Sequence, residues 1–142
     1  MKMKRIAYSL AALALLTAQA QASSGFSCEA DDKNVTKLVI EGAMPRSEPG
    51  LINFGGIVEI DGKKAEFKMP DVKNFTGRGG VIQVRASARA GDEIFSVFLS
   101  IRRNPKEEDD WGGTYEVSIA AAEKKSKTAP TVKRGKVKCF VE

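Results

Sequence analysis

Histidine is missing from all 142 residues. Its absence excludes Ser-His-Asp and Cys-His triads, imidazole acid–base catalysis and most transition-metal sites. Cysteine is nearly as scarce, with Cys28 and Cys139 the two in the chain. Two thiols without an imidazole make a poor tetrahedral zinc set, so neither a metal nor another cofactor is expected. Aromatic residues are few: Trp111 alone of its kind, two tyrosines and seven phenylalanines. That is too thin for the aromatic girdles of an outer-membrane barrel, and the last residues, Phe140-Val141-Glu142, do not end on an aromatic. No apolar run reaches the roughly 20 residues that cross a bilayer as a helix.

The chain begins with a charged and then an apolar stretch. Lys2, Lys4 and Arg5 carry three positive charges, Ile6 to Leu16 is apolar apart from Ser9, and Ala20-Gln21-Ala22 supplies small residues around a cleavage point. A basic start, a short apolar core and an A-x-A end are the three parts of a secretory signal. Residues 1–22 are therefore expected to be a cleaved signal peptide and residues 23–142 a single domain, periplasmic or secreted, in a bacterial envelope setting. A lipid anchor is not expected, because Cys28 follows Gly25-Phe26-Ser27, without the apolar residue a lipobox places three positions earlier. Removing the signal changes the electrostatics. It takes three of the 23 basic residues and none of the 18 acids, so 20 basic face 18 acidic side chains afterwards. The full-length net charge of +5 is thus no basis for nucleic-acid binding.

In an oxidising compartment an isolated pair of cysteines reads as one disulfide, Cys28–Cys139. It would close a loop of more than 100 residues, for which chain entropy gives about 4–5 kcal/mol. It would also set the first and last strands side by side, with Cα atoms about 6 Å apart.

What fills the rest is alternation of period two, the signature of half-buried strands. Thr36, Leu38 and Ile40 share a face; so do Ile52, Phe54, Val58 and Ile60, with Gly55-Gly56 interrupting them; so do Ala65, Phe67 and Met69. Asp61-Gly62 between two alternating runs is a hairpin signal. Ile82, Val84, Ala86 and Ala88 form the clearest inward face, and Ala90-Gly91-Asp92 turns the chain back. The uncharged run Ile94 to Ile101 would aggregate at a sheet edge, so it belongs inside the sheet. Tyr115, Val117, Ile119 and Ala121 make another inward face, and Val137, Cys139 and Val141 close the chain. Ala120 to Lys125 has helix propensity but runs out within two turns. The expectation is an all-β domain: one small antiparallel β-sandwich or closed β-barrel of about seven to eight strands, its termini stapled by the disulfide.

Four segments stand out as functional candidates. In Arg102 to Gly113, the acids Glu107, Glu108, Asp109 and Asp110 precede Trp111 on what reads as a hairpin loop, a plausible partner-binding element since tryptophan is enriched at interface hot spots. The alternative is a solvated loop whose Trp111 folds back over the core. Consecutive carboxylates do not converge on one centre as calcium requires. Gly77, Arg78, Gly79 and Gly80 form a glycine-rich turn whose N–H groups could bind an anion, although no helix follows as phosphate-binding loops demand. Lys124, Lys125 and Lys127, with Lys133, Arg134, Lys136 and Lys138, make the C-terminal third basic, without the interleaved aromatics that stack bases. Asn34 and Asn74 head N-x-T sequons, relevant in a glycosylating host alone.

No catalytic set emerges. These features favour an exported, non-catalytic module that binds a protein or a cell-envelope component, in the manner of an inhibitor, with no nucleic acid and no membrane span. Alternatives are a small hydrolase using two carboxylates about 5–10 Å apart across a cleft, and a purely structural envelope protein. The first expectation is directly measurable. Intact mass of the exported protein should match a chain beginning at Ser23 and be two hydrogens lighter than the reduced form; alkylation of both thiols without prior reduction would refute the bridge.

Overall fold

Two-residue turns set the hairpins. Asp61-Gly62 and Gly79-Gly80 both adopt positive φ at both positions, the I′ geometry whose twist matches paired strands. The computed structural model describes residues 24–45 and 50–142; the expected signal at 1–22, with Ser23, lies outside the described residues. The strands are β1 (Ser24–Ala30), β2 (Lys37–Met44), β3 (Asn53–Ile60), β4 (Lys63–Lys68), β5 (Val72–Arg78), β6 (Val81–Ala90), β7 (Glu93–Asn104), β8 (Glu107–Ala121) and β9 (Thr131–Val141), with one 3₁₀ turn at Met69–Asp71.

All pairings are antiparallel, and the sheet runs β4-β3-β2-β1-β9-β8-β7-β6-β5. It is two meanders, β1–β4 and β5–β9, joined on one side by the β1–β9 ladder. On the other side β4 curls against β6 without a ladder, which makes a nearly closed barrel. An ion pair at 2.8 Å between Lys63 and Glu93 bridges that seam. The unclosed edges are protected by charge: β4 carries Lys63, Lys64, Glu66 and Lys68, and β5 carries Lys73 and Arg78.

The barrel interior follows the alternation. Ile82, Val84, Ala86 and Ala88 face inward beside Phe95, Val97, Leu99 and Ile101 of β7 and Tyr115, Val117 and Ile119 of β8. No charged side chain is buried among the described residues. As expected, Ile94 to Ile101 lies in an interior strand, between β6 and β8. Nine strands rather than seven or eight arise because Val72–Arg78 also pairs, despite a bulge between Val72 and Asn74 that breaks its alternation. Four residues assigned to inward faces lie outside the core, one of them Met69, which falls in the 3₁₀ turn and is 38% exposed. Ile52 precedes β3 and is 58% exposed, while Thr36 and Ala121 sit at strand ends in solvent.

Cys28 and Cys139 are bonded and stand directly opposite in the β1–β9 register. Their Cα separation is 4.1 Å rather than the expected 6 Å, because they occupy a non-hydrogen-bonded position, where antiparallel chains approach most closely.

Gly113 marks the tightest point of the coil. A Cβ there would collide with the main-chain oxygen of Ser100 and lie 2.7 Å from Ile101 Cα, atoms that cannot step aside. At Gly112 the nearest atom would be 3.7 Å away. Gly113→Ala should therefore lower stability by about 2–3 kcal/mol, and Gly112→Ala should stay within about 0.5 kcal/mol of wild type. Urea melts of the two variants provide the comparison, and equal effects would contradict it.

Candidate functional site

The segment read as a loop from Arg102 to Gly113 is an extension of the β7–β8 hairpin, turning at Pro105-Lys106. Register holds through Arg103↔Trp111, then skips to Asn104↔Glu107, leaving Glu108, Asp109 and Asp110 unpaired on a bulge. β9 follows β8 no further than Trp111↔Cys139. Residues 104–110 consequently form an arm past the last β8–β9 pair, with all four acids exposed. Asn104 secures it, donating from Nδ2 to Asp110 Oδ2 at 3.0 Å while its own Oδ1 accepts from the Lys106 N–H. No lysine or arginine among the described residues forms an ion pair with the four acids.

Trp111 is not at a loop tip. It is a strand residue, half-buried against the end of the core, opposite the disulfide. It lines a shallow depression of about 210 Å³ with Met44, Val141 and the expected glycine-rich turn, of which Gly77 and Arg78 end strand β5 and Gly79-Gly80 alone make the turn. Two separate sequence candidates thus meet at one end of the barrel. Gly79 and Gly80 are accounted for by the hairpin turn, whereas Gly77 is a β5 residue paired with Ile82 where a Cβ would crowd Phe75 and Met44; the Gly80 carbonyl accepts from the Arg103 N–H at 2.9 Å. A more accessible aromatic escaped the sequence reading. Phe140, next to Cys139, is 63% exposed on the outer wall at the root of the arm. The signal was there: with Cys139 and Val141 inward, Phe140 has outward parity.

At the opposite end, β1 leaves the sheet. Its pairing with β9 stops at Glu29↔Lys138, and residues 31–36 dive across the barrel end, burying Val35. The place β1 vacates is an open cleft of about 900 Å³ floored by Leu38 and Val137. Asp32 anchors the loop. Its Oδ1 accepts from the Asn34 and Val35 N–H groups at 2.7 and 2.9 Å. The Tyr115 hydroxyl donates to the same carboxylate, 2.8 Å from Oδ2. The phenol reaches it across Gly135, where a Cβ would sit 2.5 Å from the Tyr115 ring. Asn34 Nδ2 donates to the Arg134 carbonyl at 2.7 Å.

Desolvation works to raise the Asp32 carboxyl, but the Val35 N–H, the Tyr115 hydroxyl, the Asn34 N–H and nearby Lys33 outweigh it, and the group titrates below its ordinary value. Tyr115 is pushed well above the usual phenol range, first by burial and then by the Asp32 carboxylate. Of the other three acids around the cleft, Glu29 is opposite Lys138 and Glu59 is opposite Lys37, while Asp31 lies in the loop that follows β1. Among the described residues no group of acids and cysteines is placed to hold a metal ion, and no helix is long and apolar enough to cross a membrane.

Comparison with protein-family models, curated proteins and solved structures gives no match to this chain. Function is therefore read from these surfaces.

The Asp32–Tyr115 contact has a pH signature. Asp32 is lowered, so its contribution is complete above about pH 4 and is lost as acid carries it through the folded value. Tyr115 is raised, so its contribution is complete below about pH 10 and is lost progressively in stronger base. Tyr115→Phe should cost about 1.5 kcal/mol at neutral pH. The gap from wild type should narrow below pH ~4 and above pH ~10. A gap constant across a urea-melt pH series would show that the phenol–carboxylate contact contributes nothing.

Proposed function

We propose that this chain is an exported, non-catalytic binding module that engages a protein or envelope component through the β7–β8 arm. The observation that carries this reading is the arm itself: Glu107, Glu108, Asp109 and Asp110 stand on a strand extension that β9 does not pair with, and no cation among the described residues forms an ion pair with them. Like charge concentrated on an overhang repels itself. The cost is recovered on meeting a basic surface, through faster encounter and desolvated ion pairs. Phe140 at the root supplies an exposed apolar anchor, while Trp111 holds the arm to the core. The disulfide fixes β9 against β1 and the arm's base against β9, so little conformational freedom is lost on binding. An export setting is supported by the same disulfide and by the signal-like start.

Affinity capture from envelope and culture-supernatant fractions, with the oxidised protein as bait, tests the proposal. A parallel bait carries Glu107→Gln, Glu108→Gln, Asp109→Asn and Asp110→Asn, all solvent-exposed changes expected to leave the melting temperature unchanged. The first bait should hold a saturable partner, the quadruple variant should bind it at least 10-fold more weakly, and Phe140→Ala should also weaken it. Equal retention by both baits, or none by either, would overturn the assignment to the arm.

A further inference from the structure

Arginine is not spread evenly over this barrel. Of the six arginines among the described residues, Arg78, Arg85, Arg89, Arg102 and Arg103 lie on β5–β7, and Arg134 alone lies elsewhere. All of the β5–β7 set except Arg103 hold outward positions, because Ile82, Val84, Ala86, Ala88 and Ile101 between them face the core. The other wall is different. On β1–β4 the outward carboxylates Glu29, Glu41, Glu59 and Glu66 offset the outward lysines. Across β5–β8, between the levels of Arg102 and Arg89, the one outward carboxylate among the described residues is Glu116, and Arg134 Nε already holds it at 2.8 Å.

Register sorts this basic wall into rows that run across the strands. Arg78, Val81 and Arg102 make the first row, and Thr76, Gln83, Ser100 and Thr114 the second. Asn74, Arg85, Phe98 and Glu116 make the third. Ser87, Ser96 and Ser118 follow, and Arg89 with Ile94 ends the series. Rows that carry arginine thus alternate with neutral rows of hydroxyl and amide groups. Arginine rows recur every four residues along β6, about 13 Å apart, so the track from Val81 to Arg89 is about 27 Å long. Contacts within the rows order the side chains. Gln83 Nε2 donates to Ser100 Oγ at 3.3 Å, the Ser87 and Ser96 hydroxyls share a bond of 2.9 Å, and Arg85 lies 4.1 Å above the Phe98 ring centroid. Two shallow depressions flank the Arg85–Phe98 ridge. One of about 100 Å³ is lined by Asn74, Thr76 and Gln83, the other, of about 210 Å³, by Lys73, Ser87, Ser96 and Ser118. Arg89 Nε donates to the Gly91 carbonyl at 3.0 Å, and among the described residues no arginine of β5–β7 forms an ion pair.

We infer that the outer wall of β5–β8 binds a linear acidic polysaccharide whose chain lies along the strands. The alternation of rows carries this assignment. A sugar polymer with acidic substituents offers hydroxyls and anionic groups together, and a chain crossing the rows meets a donor set for each. Arginine engages carboxylate or sulfate through paired N–H groups, which a lysine does not. A single-stranded nucleic acid needs aromatic faces for its bases, and here Arg85 covers Phe98. An anionic bilayer takes up apolar side chains, and Ile94, at 37%, is the one markedly exposed large apolar residue on β5–β8. The acids of the arm lie past the Arg102 row and bound the track at that end. This wall is separate from the surface that the arm presents.

Calorimetric titration of the oxidised protein with polygalacturonate and dextran sulfate oligosaccharides tests this, with plain dextran as the uncharged control. At least one acidic glycan should bind, more weakly as salt shortens the Debye length from about 30 to 8 Å, and dextran should not. A wall variant, Arg78→Gln with Arg85→Gln and Arg102→Gln, should bind about 10-fold more weakly. A charge-matched variant of the other wall, Lys37→Gln with Lys64→Gln and Lys68→Gln, should stay within about twofold of wild type. A neutral variant, Gln83→Ala with Ser96→Ala and Ser118→Ala, should weaken binding by about threefold and leave its salt dependence unchanged. Neutralising the four acids of the arm should leave glycan binding undiminished, and a loss there would overturn the placement on this wall. Failure of both acidic glycans to bind overturns the inference. Equal weakening in the two charge variants does so too, since net charge alone would then account for attraction. Duplex DNA or phosphatidylglycerol vesicles held by the same arginines as tightly as the glycans, or indifference to the neutral variant, would overturn the choice of a polysaccharide.

Discussion

The barrel depends on a ladder of four residue pairs, Phe26–Glu29 against Lys138–Val141. Every other junction in the sheet links neighbours in the chain, and all are longer. This one joins the two meanders, so its loss would leave two open sheets, each exposing an apolar face. The ladder is too short to bear that task on hydrogen bonds worth about 1 kcal/mol each, and the structure reinforces it along its length. The disulfide lies within it, Glu142 bonds Gly25 at one end, and at the other side chains take over where the main chain separates: Asn34 to Arg134 and Asp32 to Tyr115. The cross-link acts over a separation of 111 residues, where restricting the unfolded chain contributes most.

That clasp also explains the distribution of surfaces. Holding the loop 31–36 across the barrel end draws β1 out of the sheet, and the same departure opens the cleft and bares the β9 edge. At the other end β9 stops short of β8, and the arm overhangs. One strand ending early and another running long, with a bulge at its start, produce both the cleft and the arm.

Much of the architecture was legible because buried alternation is a local signal. The inward faces of β6 and β7 could be read residue by residue, and Asp61-Gly62 announced its hairpin. β5 was obscured by its bulge and by Gly77, Gly79 and Gly80, which resemble a loop. The acids at Glu107–Asp110 hid a strand extension, since consecutive charges, a proline and a glycine pair look like a turn. Tyr115 was assigned to the core correctly, but its hydroxyl partner Asp32 lies 83 residues away, and no periodicity links such positions. The cleft was invisible for the same reason, because it is defined by where β1 stops pairing.

The β1–β9 junction has a consequence for the timing of folding. During synthesis the first strand emerges early, but the strand that must lie beside it is built from residues 131–141. Until those residues are available, the β1–β4 meander has an unpaired edge and an uncovered apolar face, the condition in which partly made chains associate wrongly. Closure is therefore a late, long-range event, slow in the way that non-local β contacts are. A chain interrupted anywhere before β9 would lack not one strand in nine but the barrel itself.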